Sequence, residues 1–462
     1  MDLEKFATDL SSSKLCDLKF VESFDSLSSL INLYKETTSN LLDTHAPLRQ
    51  TRLSRNPVPW FSKDLQDAIR ERRRLERLWR RSRSARHRSA FVRQRNFVKR
   101  LTVQHQQHYY NNLFSNHSSV TDLWRTINSF ARPKQAPLLP TVSSDSVGAS
   151  LFASFFSDKI LKLHQQFAPS CRTSPIHVCH PVQVPLFEKF DLVSPPEVFN
   201  FISKSKPKTS PLDPIPTWIV KKLPALFTPV LCSIVNLSLS AGVFPESEKQ
   251  AIVTPVLKKR SLDKDDCNNY RPISVLSFIS KLIESVVSKK IDQFLDTYGL
   301  FSPFQSAYRV SHSTETVLLH LTNHFAVARS SHLISCMITL DLSSAFDTVD
   351  HEILLDRLHH NFNFSGVVLQ FFSSYLNNRT QTIRFNSQLS DSYTLSCGVP
   401  QGSVLGPRLY SLYVAPVSEI IRSYNLSHHM NADDTCLYFS FSPADASDSI
   451  ENFECCILHS CD

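Results

Sequence analysis

The chain has 462 residues, 42% hydrophobic and 20% charged, with a formal net charge of +8. This is the composition of a globular protein of two or three domains with a sizeable core, and it excludes a mainly disordered chain. The N-terminus, MDLEKFATDL, carries acids and no basic-then-apolar run, which argues against secretion, so the 11 cysteines read as reduced thiols.

Residues 1–59 read as an upstream connector segment. From residue 60 to residue 132 there is no Gly or Pro, and Leu65, Ile69, Leu75, Leu78 and Trp79 recur at helical spacing. The basicity is concentrated here: residues 70–100 hold 14 Lys or Arg against two acids, Glu71 and Glu76. Arg70, Arg73, Arg74, Arg77, Arg80 and Arg81 surround the predicted helix, a density suited to a phosphate backbone without base readout. A solvated charged helix or a nuclear-import signal is the alternative. Residues 133–216 carry 13 of the 26 prolines and read as a connector with one docking helix at 149–167. Within it Cys171, His177, Cys179 and His180 match no usual zinc spacing.

A further compact region is expected at 217–462. Leu223–Pro245 is uncharged but holds Pro224, Pro229 and Asn236, which favours a buried helix over a membrane span. AIVTPVLKK reads as a strand, SFISKLIESVVSKKIDQFLD and SHSTETVLLHLTNHFAVA as helices, and CMITLDL as a buried strand ending near Asp341. Ser344 and Asp347 have capping-box spacing and predict that a helix opens there. Three of only seven glycines, Gly398, Gly402 and Gly406, crowd GVPQGSVLGP. That stretch is either a surface turn between the strand YTLSC and the helix LYSLYVAPV or a cradle for a ligand. Apolar residues on both sides of Asp433 and Asp434 predict a hairpin with the acids at its tip, although Asp-Asp pairs also occur in ordinary turns.

NNYRPISVLSFISKLIE, QSAYRVSHSTET, LDLSSAFDTVDHEILL, GVPQGSVLGP and NADDTCLY, in this order, resemble the reverse transcriptase of a LINE-type (non-LTR) retrotransposon. The likeness runs from about Pro211 to Tyr438, and PVPWFSKDLQDAIRERRRLERLW resembles the connector that precedes the reverse transcriptase in such elements. A group II intron or telomerase-type enzyme shares the palm, but that connector and the wording around GVPQGSVLGP argue against it. The implied fold is α+β, right-hand polymerase fingers and partial palm, preceded by an α-helical basic connector.

The resemblance implies an RNA-directed DNA polymerase that uses two Mg²⁺ ions (Mn²⁺ as the alternative), an RNA template, a DNA primer and dNTPs, with no membrane partner, in the nucleus or cytoplasm. Asp341 and Asp433 would bind the ions, Asp434 would support them, and the Leu342 carbonyl would reach one of them. Phe346 matches the aromatic beneath the incoming sugar. Its alternative is a core phenylalanine. Gln401, with Gly398 and Gly402 shaping its loop, matches the contact to the nascent base pair. Arg309 matches the finger arginine for the triphosphate, with Lys258, Lys259 and Arg271 as weaker finger candidates. Asn431 stands where the family has an aromatic pressing on the primer terminus, and Ala307 replaces a usual glycine. With Asp462 so soon after the acid pair, a thumb, an upstream endonuclease and an RNase H region are expected to be missing. The competing expectation is a catalytically inactive nucleic-acid-binding remnant.

Overall fold

Helix Pro224–Ala241 lies at the heart of the larger of two units in the computed structural model, which describes residues 1–48, 59–115, 120–131, 138–167, 184–342 and 344–461. This unit comprises Met1–Pro47 and Leu138–Asp462; the other comprises Leu48–Pro137. Pro224 opens the helix where no backbone N–H is needed, and Gly242 closes it at φ +61°. A Cβ at Gly242 would lie 2.7 Å from the Val367 carbonyl oxygen. Phe227, Val230, Leu231, Ile234, Val235 and Leu239 are all buried. At roughly 1.5–3 kcal/mol for each large apolar side chain, that row outweighs the cost of about 3 kcal/mol set by Pro229 inside the helix. The helix is long and apolar enough to cross a membrane, and half of that span is buried inside the fold.

The first residues join the same core. Helices Leu3–Ser11 and Leu27–His45 contribute Phe6, Leu10, Leu30, Ile31 and Tyr34, and helix Phe278–Thr297 contributes Ile283, Val287, Ile291 and Leu295. Ser277 caps the last of these through the Ser280 amide.

The strands, in chain order, are β1 (Gln250–Leu257), β2 (Tyr270–Val275), β3 (Ile334–Asp341), β4 (Thr380–Phe385), β5 (Gln388–Leu389), β6 (Tyr393–Thr394), β7 (Ser427–Asn431) and β8 (Asp434–Phe441). One sheet has the order β2-β1-β4-β5, with β6 also on β4; β1 pairs antiparallel with β2 and parallel with β4. Helix Asp145–Phe167 packs on it through Phe152, which meets Tyr270 and Phe385. The second sheet, β3-β8-β7, is antiparallel. Cys336, Ile338, Leu340, Leu437 and Phe439 pack its inner face against Ile421, Leu426, Phe453 and Cys456.

Three expectations are corrected. The strand CMITLDL forms as β3, but it is not buried: its residues alternate between exposed and half-buried because one face of its sheet stays open. No helix opens at Ser344: that residue has φ +59°, the chain turns, and the helix begins at His351, capped by Asp350. The turn lets the Phe346 carbonyl accept from Val399 N at 2.8 Å, a tertiary bond that a helix beginning at Ser344 would forgo. Residues 398–405 are not a surface turn either, since Gly398, Val399, Pro400, Ser403 and Leu405 are buried. The strand YTLSC shrinks to Tyr393–Thr394, and the helix after the loop breaks at Val414 into Gly406–Tyr413 and Ala415–Ser423. Cys171, His177, Cys179 and His180 lie outside the described residues.

The smaller unit is helical. Ser62 caps helix Lys63–Ser82, Arg83 turns the chain at φ +53°, and helix Ala85–Ser115 runs back along the first. Trp79 stacks on Phe91 at 5.5 Å near the turn, while Leu65 and Ala68 bury against Val98 further along. Helix Val120–Ala131 follows.

Candidate active site

Asp341 ends β3 and Asp434 begins β8, and the register pairs them directly; Asn431 faces Asp434 from β7. Directly opposed residues of an antiparallel pair share a face, so these three side chains lie on one side of the sheet. That face lies opposite the one packed by Leu340 and Leu437. Ala432 and Asp433 form the tight link between β7 and β8, with Ala432 at φ +62°. The chain therefore brings Asp341, Asp433 and Asp434 to one edge, as the hairpin reading predicts. Further along the same face, helix Thr314–Ser330 approaches, with His320 Nε2 3.0 Å from Tyr438 Oη and His324 Nε2 3.2 Å from Ser440 Oγ.

Burial, then the neighbouring charges of Asp433 and Asp341, push the Asp434 carboxyl above its ordinary value. None of the three acids forms an ion pair among the described residues. Three carboxylates of hard oxygen suit a divalent cation such as Mg²⁺. Their side chains are not drawn into a closed ligand set: among the described residues, no group of three or more His, Cys, Asp or Glu is placed to hold a metal ion. Leu342, the next residue, is exposed.

Beside the acids lies an aromatic pair, with Phe346 stacked on Tyr410 at 5.1 Å. Phe346 is only partly buried and packs at the edge of the core. The Tyr410 hydroxyl is buried without a hydrogen-bond partner among the described residues. Burial and the charges of Asp433, Tyr308, Tyr413 and Asp341 push it far up.

The glycine loop is pinned from below. Gly398 has φ +85°, and a Cβ there would lie 2.8 Å from the Asp347 carbonyl oxygen; Gly402 has φ +124°, and its Cβ would lie 2.5 Å from that of Ser274. The Gly398 amide donates to Val349 O at 2.7 Å, and the Gln401 carbonyl accepts from Ser274 N at 2.8 Å. Asp347 is enclosed here, and burial raises its carboxyl to about 6 against the opposing pull of Lys159.

Sequence reasoning missed Glu284. It is fully buried, and its Oε2 accepts from the amides of Val404 and Leu405 while Oε1 accepts from Ser280 Oγ at 3.2 Å and Tyr375 Oη at 3.4 Å. Burial raises its carboxyl, opposed chiefly by Arg379, which is itself buried over the Tyr375 ring. The signal was present as one acid in the apolar face of SFISKLIE.

The remaining predicted residues are dispersed. Arg309 donates to Ser302 O at 2.9 Å and sits over the Phe301 ring, holding the turn before it. Lys258, Lys259 and Arg271 are exposed on the β1–β2 hairpin. In the smaller unit Arg70, Arg74 and Arg80 pair with Asp67, Glu71 and Glu76, whereas Arg77 Nε donates to Arg73 O. Arg73 and Arg81 are exposed.

Paired acids at a sheet edge, on the same unit as a glycine loop held against neighbouring backbone, have the oxygen chemistry to hold divalent cations. Residues 257–458 match the family described as reverse transcriptase (RNA-dependent DNA polymerase), and most of the chain is homologous to RNA-directed DNA polymerases of non-LTR retrotransposons. It is 26% identical over 93% of its length to "Probable RNA-directed DNA polymerase from transposon X-element" of Drosophila melanogaster, and 26% identical over 90% to the RNA-directed DNA polymerase from mobile element jockey of Drosophila funebris. The alignments cover 48% and 46% of those relatives, so the chain spans about half their length. Among solved structures, apo telomerase from Candida tropicalis aligns over 47% of each chain with 15% identity and a TM-score of 0.34.

Proposed function

We propose that the chain is an RNA-directed DNA polymerase, extending a DNA primer by one deoxynucleotide at a time on an RNA template. The observation that carries this reading is the direct pairing of Asp341 with Asp434 beside Asp433. In it the β3-β8-β7 sheet is a partial palm, the β1–β2 hairpin belongs to the fingers, and the arginine-rich helices are a basic connector.

Asp341, Asp433 and Asp434, with the Leu342 carbonyl, would hold two Mg²⁺ ions, whose charge steadies the attacking and leaving oxygens when bound. Phe346, backed by Tyr410, would lie under the incoming sugar and reject a 2′ hydroxyl by contact. Gln401 would touch the nascent base pair, held in place by Gly398, Gly402 and the buried Glu284 clamp. Arg309, with Lys258, Lys259 and Arg271, would meet the triphosphate. Asn431 would face the primer end without a ring to press on it.

The second reading, an inactive remnant that still grips nucleic acid, is favoured by Asn431, which offers no ring to press on the primer end. Mg²⁺-dependent extension of a DNA primer on an RNA template by the full chain decides between them. Extension that Asp433→Asn abolishes supports the polymerase; salt-sensitive RNA binding with no extension overturns it.

A further inference from the structure

The smaller unit contains a cleft of about 530 Å³, lined by Trp60, Phe61 and Ser62 at the start of helix Lys63–Ser82 and by His105, His108 and Tyr109 on helix Ala85–Ser115. It lies outside residues 257–458, so the matched family region assigns it nothing. We propose that this cleft takes one unpaired base of a single-stranded nucleic acid, whose phosphates run along the arginine-rich flank of the same helical hairpin. The proposal rests on the reading that the chain handles nucleic acid, but not on its being an active polymerase.

Three observations support the assignment. The cleft is of ligand size, since small-molecule sites occupy about 300–1,000 Å³. Its walls offer three carbocyclic rings and two imidazoles but no carboxylate or ammonium, with polar edges at Asn112 and His108, which lie 3.0 Å apart. A flat heteroaromatic with hydrogen-bonding edges matches that lining; an ion does not. Around the cleft exposed cations stand alongside the exposed acid Asp64. Lys63 follows Ser62, and Lys99 and Arg100 precede His105 by roughly one and a half turns of the helix. Exposed Phe61 and Phe97 lie interspersed with these cations. Cationic side chains interleaved with open aromatic rings suit a strand whose bases are free to stack, because every base offers a π-face and every linkage a phosphate. A duplex hides its bases and would use only the charge.

The test is equilibrium binding by the full chain, read by anisotropy of a fluorescent oligonucleotide and by tryptophan emission, with no nucleotides present so that polymerisation is not measured. Single-stranded RNA and DNA of one sequence and the corresponding duplex are the three probes. Single strands should bind more tightly than duplex and quench tryptophan emission, and the tighter of RNA and DNA identifies which strand the hairpin serves. Trp60→Ala should weaken single-strand binding by about 5- to 150-fold, the range for removing one stacked ring, with duplex binding unchanged. Because Trp60 also packs against Leu65 and Val98, Trp60→Phe and Tyr109→Leu provide the check on folding. The first should keep most of the affinity and the second should lose it. Equal affinity for duplex and single strands with no effect of either ring overturns the proposal. So does competition by polyglutamate as effective as that by RNA, which would mark a site for any polyanion.

Discussion

In the unit that carries the acids, the charges that set the geometry behind the site are enclosed: Glu284 is fully buried with four hydrogen-bond donors around it, and Asp347 sits beneath Gly398. In the helical hairpin, charge is dense and open, with 14 cations between residues 70 and 100 and the arginine heads mostly in solvent. An enclosed charge is strong because little water screens it, and it depends on position to a fraction of an ångström. An open charge is weak singly, tolerates change, and acts in number. The first kind of region can hold a reaction geometry; the second can hold a polymer whose sequence it does not read.

The contrast is sharpened most by removing an acid. Asp341→Asn should lower primer extension on the order of 1,000-fold, the several kcal/mol that metal-bound charge supplies at a reacting centre, with thermal unfolding little changed. If activity persists within a few-fold, the sheet edge is not the reaction centre. Next, Glu284→Leu removes the acceptor for Val404 and Leu405 and leaves Arg379 without its anion, so stability should fall by about 3–5 kcal/mol in denaturant unfolding. Glu284→Gln, which keeps one acceptor oxygen, should cost less. Gly402→Ala places a methyl against the Ser274 carbonyl at φ +124°, a loss of about 1–3 kcal/mol that melting will show. An unchanged Tm would mean the loop shifts freely.

The pH dependence should be gentler. The folded Asp347 carboxyl binds its proton up to about 6, whereas the unfolded one releases it near the ordinary value of 3.8. Its contribution to stability is therefore full below the unfolded value and is lost as pH rises towards 6. Asp213, also raised to about 6 by burial, acts in the same direction. Asp347→Asn should flatten this part of the Tm-against-pH curve. The smallest effect should come from the open region: Arg73→Ala or Arg81→Ala should leave melting unchanged and reduce the log–log salt slope of nucleic-acid binding by about one for each phosphate no longer neutralised.

Much of this was legible in the residues. Helices Phe278–Thr297 and Thr314–Ser330 form where their apolar spacing predicts them, because helical periodicity is local chemistry. The apolar runs of β1, β3 and β8 mark strands because alternation and β-branching are local too. The hairpin around Asp433 was predictable for the same reason. Ser344 misled because its capping spacing is a local signal overridden by a distant bond, Val399 to Phe346. Glu284 was hidden because a buried acid in an apolar helix face makes sense only when the amides it receives are known, and these lie 120 residues away.

The sequence by itself determined the strongly periodic helices and the strands around Asp341 and Asp433, where positive charge accumulates, and which motifs carry the polymerase likeness, since all of these follow from neighbours along the chain. Only the tertiary structure decided that Asp341 faces Asp434, that the glycines yield to the backbones of Asp347 and Ser274, and that an aromatic cleft opens between two basic helices. The reason is one of range: propensity and capping act over a few residues, whereas register, close approach and burial are set by atoms far apart in sequence that packing brings together.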